Sequence, residues 1–98
     1  MKNFRTYHLA IEFYNECKTL KLRGALKDQF DRALLSIPLN LAEGSAKPTA
    51  KDRRRFYFIA LGSMREIETI LHLQGTPDLS QKANVLAAHI CKLCQNTC

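Results

Sequence analysis

Apolar residues recur every three or four positions along almost the whole chain, and this spacing limits the fold more than any other feature. In the first segment Phe4, Tyr7, Ile11 and Tyr14 follow it. Such spacing gathers apolar side chains on one face of an α-helix. We therefore expect a first helix over residues 3–22, and the same pattern in the later segments predicts an all-α protein.

A second helix is expected after the break at Gly24. It should end near Glu43, because Gly44 can take the left-handed conformation typical of a helix C-terminus. Pro38 lies inside the apolar pattern, which continues on both sides of it. We therefore expect one helix kinked at Pro38, with the carbonyl of Leu34 unpaired. A break into two short helices is the alternative.

Capping signals place two further helices. Thr49, with Asp52 three residues later, resembles a capping box and predicts the start of helix 3. This helix should continue to about residue 74 and stop at Gly75. Pro77 and Asp78 then open helix 4, with Asp78 as its cap.

Short connections between the four segments make consecutive helices antiparallel neighbours. We therefore expect an up-down-up-down antiparallel four-helix bundle. The 98 residues, 46% of them apolar, suit one domain over residues 1–98. The sequence contains no run of about 18 apolar residues, so we expect no membrane span. Since the first residues do not resemble a signal peptide either, we expect a cytoplasmic protein.

Helix 3 carries apolar side chains on two sides. Its expected core stripe contains Phe56, Ala60, Ser63, Met64, Ile67, Ile70 and Leu71. Tyr57, Phe58 and Leu61 lie near Arg54, on the side that should face solvent in a monomer. A helix with two apolar sides usually packs against two partners, and one small bundle supplies only one. These three side chains therefore predict a homo-oligomer interface. Aromatic residues scattered singly over the surface are the alternative.

The positive charge of the chain is concentrated at the start of helix 3. Residues 47–55 hold five cations and one acid, a net charge of +4 out of the chain's +6. The helix dipole disfavours cations at an N-terminus, so local helix stability does not explain the run. A phosphate placed there would gain both charge and backbone N–H donors.

We therefore predict nucleic-acid binding by a set of cations on and around helix 3. These are Lys47, Lys51, Arg53, Arg54, Arg55 and Arg65. Lys51, Arg54 and Arg65 share one side of the helix, with Arg55 beside them. Tyr57 or Phe58 could stack on an unpaired base. The alternatives are a solvated charge run and a protein-interaction scaffold whose basic surface meets an acidic partner protein.

Patterns that would carry catalysis are scarce. The serines lack the glycines of a nucleophile elbow, the isolated glycines form no phosphate loop, and the Glu-x-x-His pairs of di-iron bundles are absent from the sequence. We expect no enzymatic activity, no cofactor and no metal.

The four cysteines are most simply interpreted as free thiols, since their spacing is not that of a secreted disulfide scaffold. They are Cys17, Cys91, Cys94 and Cys98. Cys17 and Cys94 fall on apolar helical positions and should be small core residues. A zinc site in the C-terminal tail is the alternative, but on a helix His89 and Cys91 point about 200° apart.

Two segments together carry a family resemblance. Residues 36–45 read Ser-Ile-Pro-Leu-Asn-Leu-Ala-Glu-Gly-Ser, and residues 60–63 read Ala-Leu-Gly-Ser. With these motifs the chain resembles the four-helix-bundle family named for 23S rRNA intervening sequences, which is similar to the accessory variability determinant of diversity-generating retroelements. The resemblance implies a bundle with a basic surface, and Arg53, Arg54 and Arg55 match the polar lead-in to the family's third helix. It implies no catalytic residues.

Partners and two further roles also follow from the resemblance. It implies a homopentamer that binds nucleic acid, with RNA favoured by the family name and a reverse transcriptase as a protein partner. Asn40 and Glu43 fit the family pattern and are interpreted as holding the helix end and the loop after it.

Overall fold

The structure, a computed structural model, describes residues 4–96. It contains four α-helices, namely α1 (Arg5–Cys17), α2 (Gly24–Ser45), α3 (Ala50–Gln74) and α4 (Pro77–Asn96). No strand occurs among the described residues. Helices α1 and α3 each contact both α2 and α4, so the four helices pack as a bundle around one core. The prediction of an all-α four-helix protein is confirmed.

Helix α1 is shorter than predicted. It ends at Cys17, and residues 18–23 form a connection without helical structure. Leu22 is nevertheless buried and Leu20 packs against the core, so the apolar spacing continues into this connection. Spacing alone therefore could not locate the end of the helix. Gly24, at φ 61°, marks the point where the chain enters α2.

Helix α2 passes through Pro38 as one helix, so the alternative of two short helices is wrong. The prediction for Gly44 is also wrong, because Gly44 lies inside α2, and among the described glycines only Gly24 and Gly75 have a positive φ. A Cβ at Gly44 would lie 2.8 Å from Cε1 of Tyr57. The missing side chain therefore serves the close approach of α2 to α3.

The predicted ends of α3 are confirmed. The backbone N–H of Asp52 donates to Oγ1 of Thr49 over 3.2 Å, and Gly75 closes the helix at φ 69°. Helix α4 begins at Pro77, where a missing N–H costs nothing. The prediction that Asp78 caps α4 is wrong, because Asp78 lies inside the helix, in its first turn.

The core receives buried side chains from all four helices, and α3 supplies six of them. These are Tyr57, Ala60, Met64, Ile67, Ile70 and Leu71. The predicted core positions of the last five are confirmed. Phe56 and Ser63, placed in the same stripe by the sequence, are half-buried.

The predicted exposed position of Tyr57 is wrong, because its side chain is only 5% exposed. It continues the three-four spacing of Ala60 and Met64, so the buried stripe is turned towards it. Gly44 of α2 leaves room for its ring, and the ring of Phe4 covers it with 6.0 Å between centroids. Leu61 is half-buried against the core, whereas Phe58 remains 54% exposed.

Candidate nucleic-acid interface

The connection between α2 and α3 is held by a guanidinium group. Nη1 of Arg53 donates to the backbone carbonyls of Lys47 and Pro48, each over 3.1 Å. Arg53 is half-buried as a result of this position. Arg53, one of the residues predicted to bind nucleic acid, therefore makes a structural contact within the chain. This contact fixes the loop that carries Lys47.

Two cations flank one aromatic ring beside this loop. Nζ of Lys47 and the guanidinium of Arg55 each lie 5.2 Å from the ring centroid of Phe56, which is half-buried. Both distances are within the range of cation–π attraction. Lys47 also pairs with Glu43 over 3.1 Å, in line with the interpretation of Glu43 as a residue that holds the loop. Lys51, one turn before Arg55, is exposed.

Arg54 and Arg65 lie on a different side, towards α4. Arg54 is half-buried, and its charge lowers the pKa of the Cys94 thiol, although burial outweighs this effect and raises that pKa. Nη1 of Arg65 donates to Oε1 of Glu68 over 2.8 Å, and this hydrogen bond raises the pKa of Arg65. Nη2 of Arg65 also approaches Sγ of Cys91 at 3.5 Å.

The structure thus divides the predicted cations into groups. Lys47 and Arg55 meet at Phe56, Arg53 binds the loop, and Arg54 and Arg65 lie towards α4. The prediction from sequence missed Phe56 as the ring that two cations approach, because it placed Phe56 in the core stripe. The signal was present, since Phe56 directly follows Arg55 and lies nine residues after Lys47 across a loop.

Only one of the two aromatic residues proposed for base stacking is accessible. Burial raises the pKa of the Tyr57 hydroxyl and removes its ring from solvent. Phe58 is 54% exposed, on the same helix as Lys51 and Arg55. Phe58 is therefore the ring that a base could reach.

The two segments that carry the family resemblance meet between α2 and α3. The hydroxyl of Ser63 donates to Oγ of Ser36 over 2.8 Å. Nδ2 of Asn40 donates to the carbonyl of Ser36 and to its Oγ, over 2.8 and 2.9 Å. Asn40 therefore braces α2 from within, one turn earlier than the predicted helix end.

The thiols lie in the core or beside it. Cys17 and Cys94 are buried, which confirms their predicted core positions, and burial raises the pKa of Cys17 to about 12. Cys91 is half-buried, and Cys98 lies outside the described residues. Within residues 4–96, no three side chains of the metal-ligating types lie close enough together to hold an ion.

The protein is a small four-helix bundle with a cluster of cations in the sequence at the start of α3. Residues 4–83 match the family described as 23S rRNA-intervening sequence protein, and the chain belongs to this family. The matched part contains α1, α2, α3 and the start of α4. A search of curated proteins finds no match. None of the helices in residues 4–96 is long and apolar enough to cross a membrane.

Proposed function

We propose that the protein is a non-catalytic, homo-oligomeric basic protein that binds nucleic acid through charge and shape. RNA is favoured over DNA by the family name alone. The observation that carries the proposal is the pair of cations, Lys47 and Arg55, each 5.2 Å from the ring centroid of Phe56, with the exposed Lys51 one turn before Arg55. Binding of this kind selects a phosphate backbone and reads little sequence.

The start of α3 suits a phosphate for two reasons. Three cations with accessible side chains, Lys47, Lys51 and Arg55, occur within nine residues. The first turn of a helix also presents backbone N–H groups that lack partners within the helix. Phe58, seven residues after Lys51, adds a ring on which an unpaired base can stack.

The homo-oligomer is supported by exposed apolar side chains on α2 and α3. Leu35, Leu39 and Ile59 are between 46% and 58% exposed. Isolated exposed leucines are ordinary, but three large apolar side chains on two adjacent helices favour burial against another molecule. Five copies are proposed from the family resemblance, as is a reverse transcriptase as a protein partner.

The proposed arrangement of the bundle is up-down-up-down, with α2 kinked at Pro38. Contacts near both ends of α2 support opposite directions for α2 and α3, since Gly44 lies against Tyr57 and Gln29 pairs with Glu66. A cytoplasmic location and the lack of enzymatic activity belong to the same proposal and rest on the sequence.

Titration of a fluorescent single-stranded RNA at several salt concentrations tests the nucleic-acid part. We expect affinity to fall steeply with salt, and we expect Lys51→Ala plus Arg55→Ala to reduce the log–log salt slope by about 1.4, because each phosphate contact on a single strand contributes about 0.7. Lys18→Ala plus Lys21→Ala removes the same charge from the exposed connection after α1 and is the matched control.

Two outcomes would contradict the proposal. One is a lack of RNA binding at low salt, and the other is an equal loss of affinity in the variant and in the control. Capture of an acidic protein that survives nuclease treatment, by the same Lys51 and Arg55, would instead favour the protein-interaction scaffold.

A further inference from the structure

A groove runs between α1 and α4 on the surface of the bundle, with a volume of about 230 Å³. Its apolar lining comes from Leu9, Phe13, Val85 and Leu86, and its charged side chains are Glu12, Glu16 and Lys82, of which Lys82 pairs with Glu16. Val85 is 48% exposed in the groove, and both acids are exposed. The groove therefore offers an apolar floor beside the carboxylate of Glu12 and the ion pair of Glu16 with Lys82.

The outer side of α2 carries a ridge of the opposite character. We define the α2 ridge as Arg32, Leu35 and Leu39, which follow one another at intervals of three and four residues and so share one side of the helix. Leu35 is 48% and Leu39 is 58% exposed, and Arg32 is exposed as well. The ridge thus presents two apolar side chains followed by a cation.

Contacts with α3 give the heights of the ridge and the groove along the bundle. The ring of Phe4, at the start of α1, meets Tyr57, and this contact sets a common origin. Ser63 lies six residues beyond Tyr57, about 9 Å along α3 at 1.5 Å per residue, and bonds to Ser36 of α2. Arg32 is four residues before Ser36 in α2 and lies further from the Phe4–Tyr57 contact. This places Arg32 about 15 Å from that contact along the bundle.

The two acids of the groove lie on either side of this height. Glu12 is eight residues and Glu16 twelve residues beyond Phe4, about 12 and 18 Å from the same origin. Leu35 comes at about 10 Å, between the heights of Leu9 and Phe13. In two copies placed side by side at equal height, Arg32 of one copy would face Glu12 of the other, and Leu35 would face the apolar floor.

We propose that the α2 ridge of one copy of this chain sits in the α1–α4 groove of a second copy. Leu35 packs on the groove floor, and Arg32 pairs with Glu12, while Glu16 keeps its ion pair with Lys82. The proposal rests on the homo-oligomer of the proposed function and adds which surfaces meet.

The contact is heterologous, because the ridge belongs to α2 and the groove to α1 and α4. Each copy that uses its groove still has its ridge available for a further copy. Such a contact adds copies in one direction until a ring closes. It therefore provides for assemblies larger than a dimer without a second kind of interface.

Charge exchange between the two surfaces tests the proposal. Arg32→Glu and Glu12→Arg each place like charges in contact, and we expect each to raise the concentration for half-maximal assembly by about tenfold or more. The double variant, whose net charge equals that of the parent chain, should return to within about threefold of the parent, since the pair is restored in reverse. Sedimentation velocity over a range of concentrations measures assembly, and circular dichroism verifies the helical fold of each variant.

Lys21→Glu has the charge change of Arg32→Glu at an exposed position outside both surfaces and should assemble like the parent. An assembling parent chain whose assembly is unchanged by Glu12→Arg, or not restored in the double variant, would overturn the ridge-in-groove contact and leave the proposed function in place. A parent chain that is monomeric at all concentrations would overturn the homo-oligomer itself, while RNA titration tests nucleic-acid binding separately.

Discussion

The two sides of the bundle are packed differently. Between α2 and α3, Gly44 admits the ring of Tyr57, and Ser36 and Ser63 bond directly to each other, so small residues bring the two long helices together. Between α1 and α4, Lys82 and Glu16 form an ion pair on the exposed surface, at a groove of about 230 Å³. Small side chains at the α2–α3 contact allow close packing, whereas longer side chains line the groove between α1 and α4.

The largest effect is expected from one substitution made at two glycines. Gly44→Ala should lower the free energy of unfolding by about 2 kcal/mol, because its Cβ would lie 2.8 Å from the buried ring of Tyr57 and overpacking outweighs the gain in helix propensity. Gly62→Ala should raise it by about 0.5–1 kcal/mol, since Gly62 is an exposed position of α3 with no atom near its Cβ. Urea unfolding measures both, and equal stabilisation by the two alanines would show that α2 and α3 are not in tight contact.

The second largest effect concerns the buried side of α1. Water should be excluded from it as completely as from the contact between α2 and α3. Cys17 is 1% exposed, and burial raises its pKa from 9.0 to about 12. Since the folded state disfavours the thiolate, this contribution to stability is complete below pH 9 and declines as the pH rises towards 12. Between pH 8 and pH 10 the loss should be about 1.4 kcal/mol.

Urea unfolding at the two pH values measures this loss, and Cys17→Ala should reduce it. Cys91→Ala, at a half-buried position, is the matched control and should retain it. An equal pH dependence in the parent and in Cys17→Ala would mean that water reaches the Cys17 thiol.

The smallest effects compare the polar links of the two sides. Ser63→Ala removes the half-buried hydrogen bond to Ser36 and should cost about 1 kcal/mol of unfolding free energy. Lys82→Ala removes the exposed pair with Glu16 and should leave the urea midpoint unchanged within error, because surface ion pairs contribute little and are screened by salt. A larger loss in Lys82→Ala than in Ser63→Ala would reverse the comparison.

The sequence predicted those parts of the fold that depend on local chemistry. The cap of Thr49 on Asp52 and the left-handed Gly75 are signals contained within a few residues, and both are confirmed. Gly44 reads like Gly75 in the sequence, as an isolated glycine after an apolar segment. Only the ring of Tyr57 across the helix contact distinguishes a close-approach glycine from a terminal one.

Tyr57 and the cations show the same limit. The angular position of Tyr57 lies at the edge of the buried stripe, and its burial depends on Phe4 and Gly44, which are distant in the sequence. The charge run at residues 47–55 was evident from the sequence. The separation of its cations into groups depends on the loop carbonyls to which Arg53 donates, and the place of Arg65 depends on the helix that it faces. Helical angles describe one helix at a time and contain no information about its neighbours.

The ring of Phe56 has a consequence for the thermodynamics of the proposed phosphate binding. Free lysine and arginine side chains lose conformational entropy when a ligand fixes them, up to about 2 kcal/mol each. The Lys47 and Arg55 side chains are already restrained over the ring, so part of this entropic penalty is met when the chain folds. A phosphate would then meet cations that are preorganised, and the association entropy, not only the enthalpy, would depend on the presence of an aromatic ring at residue 56.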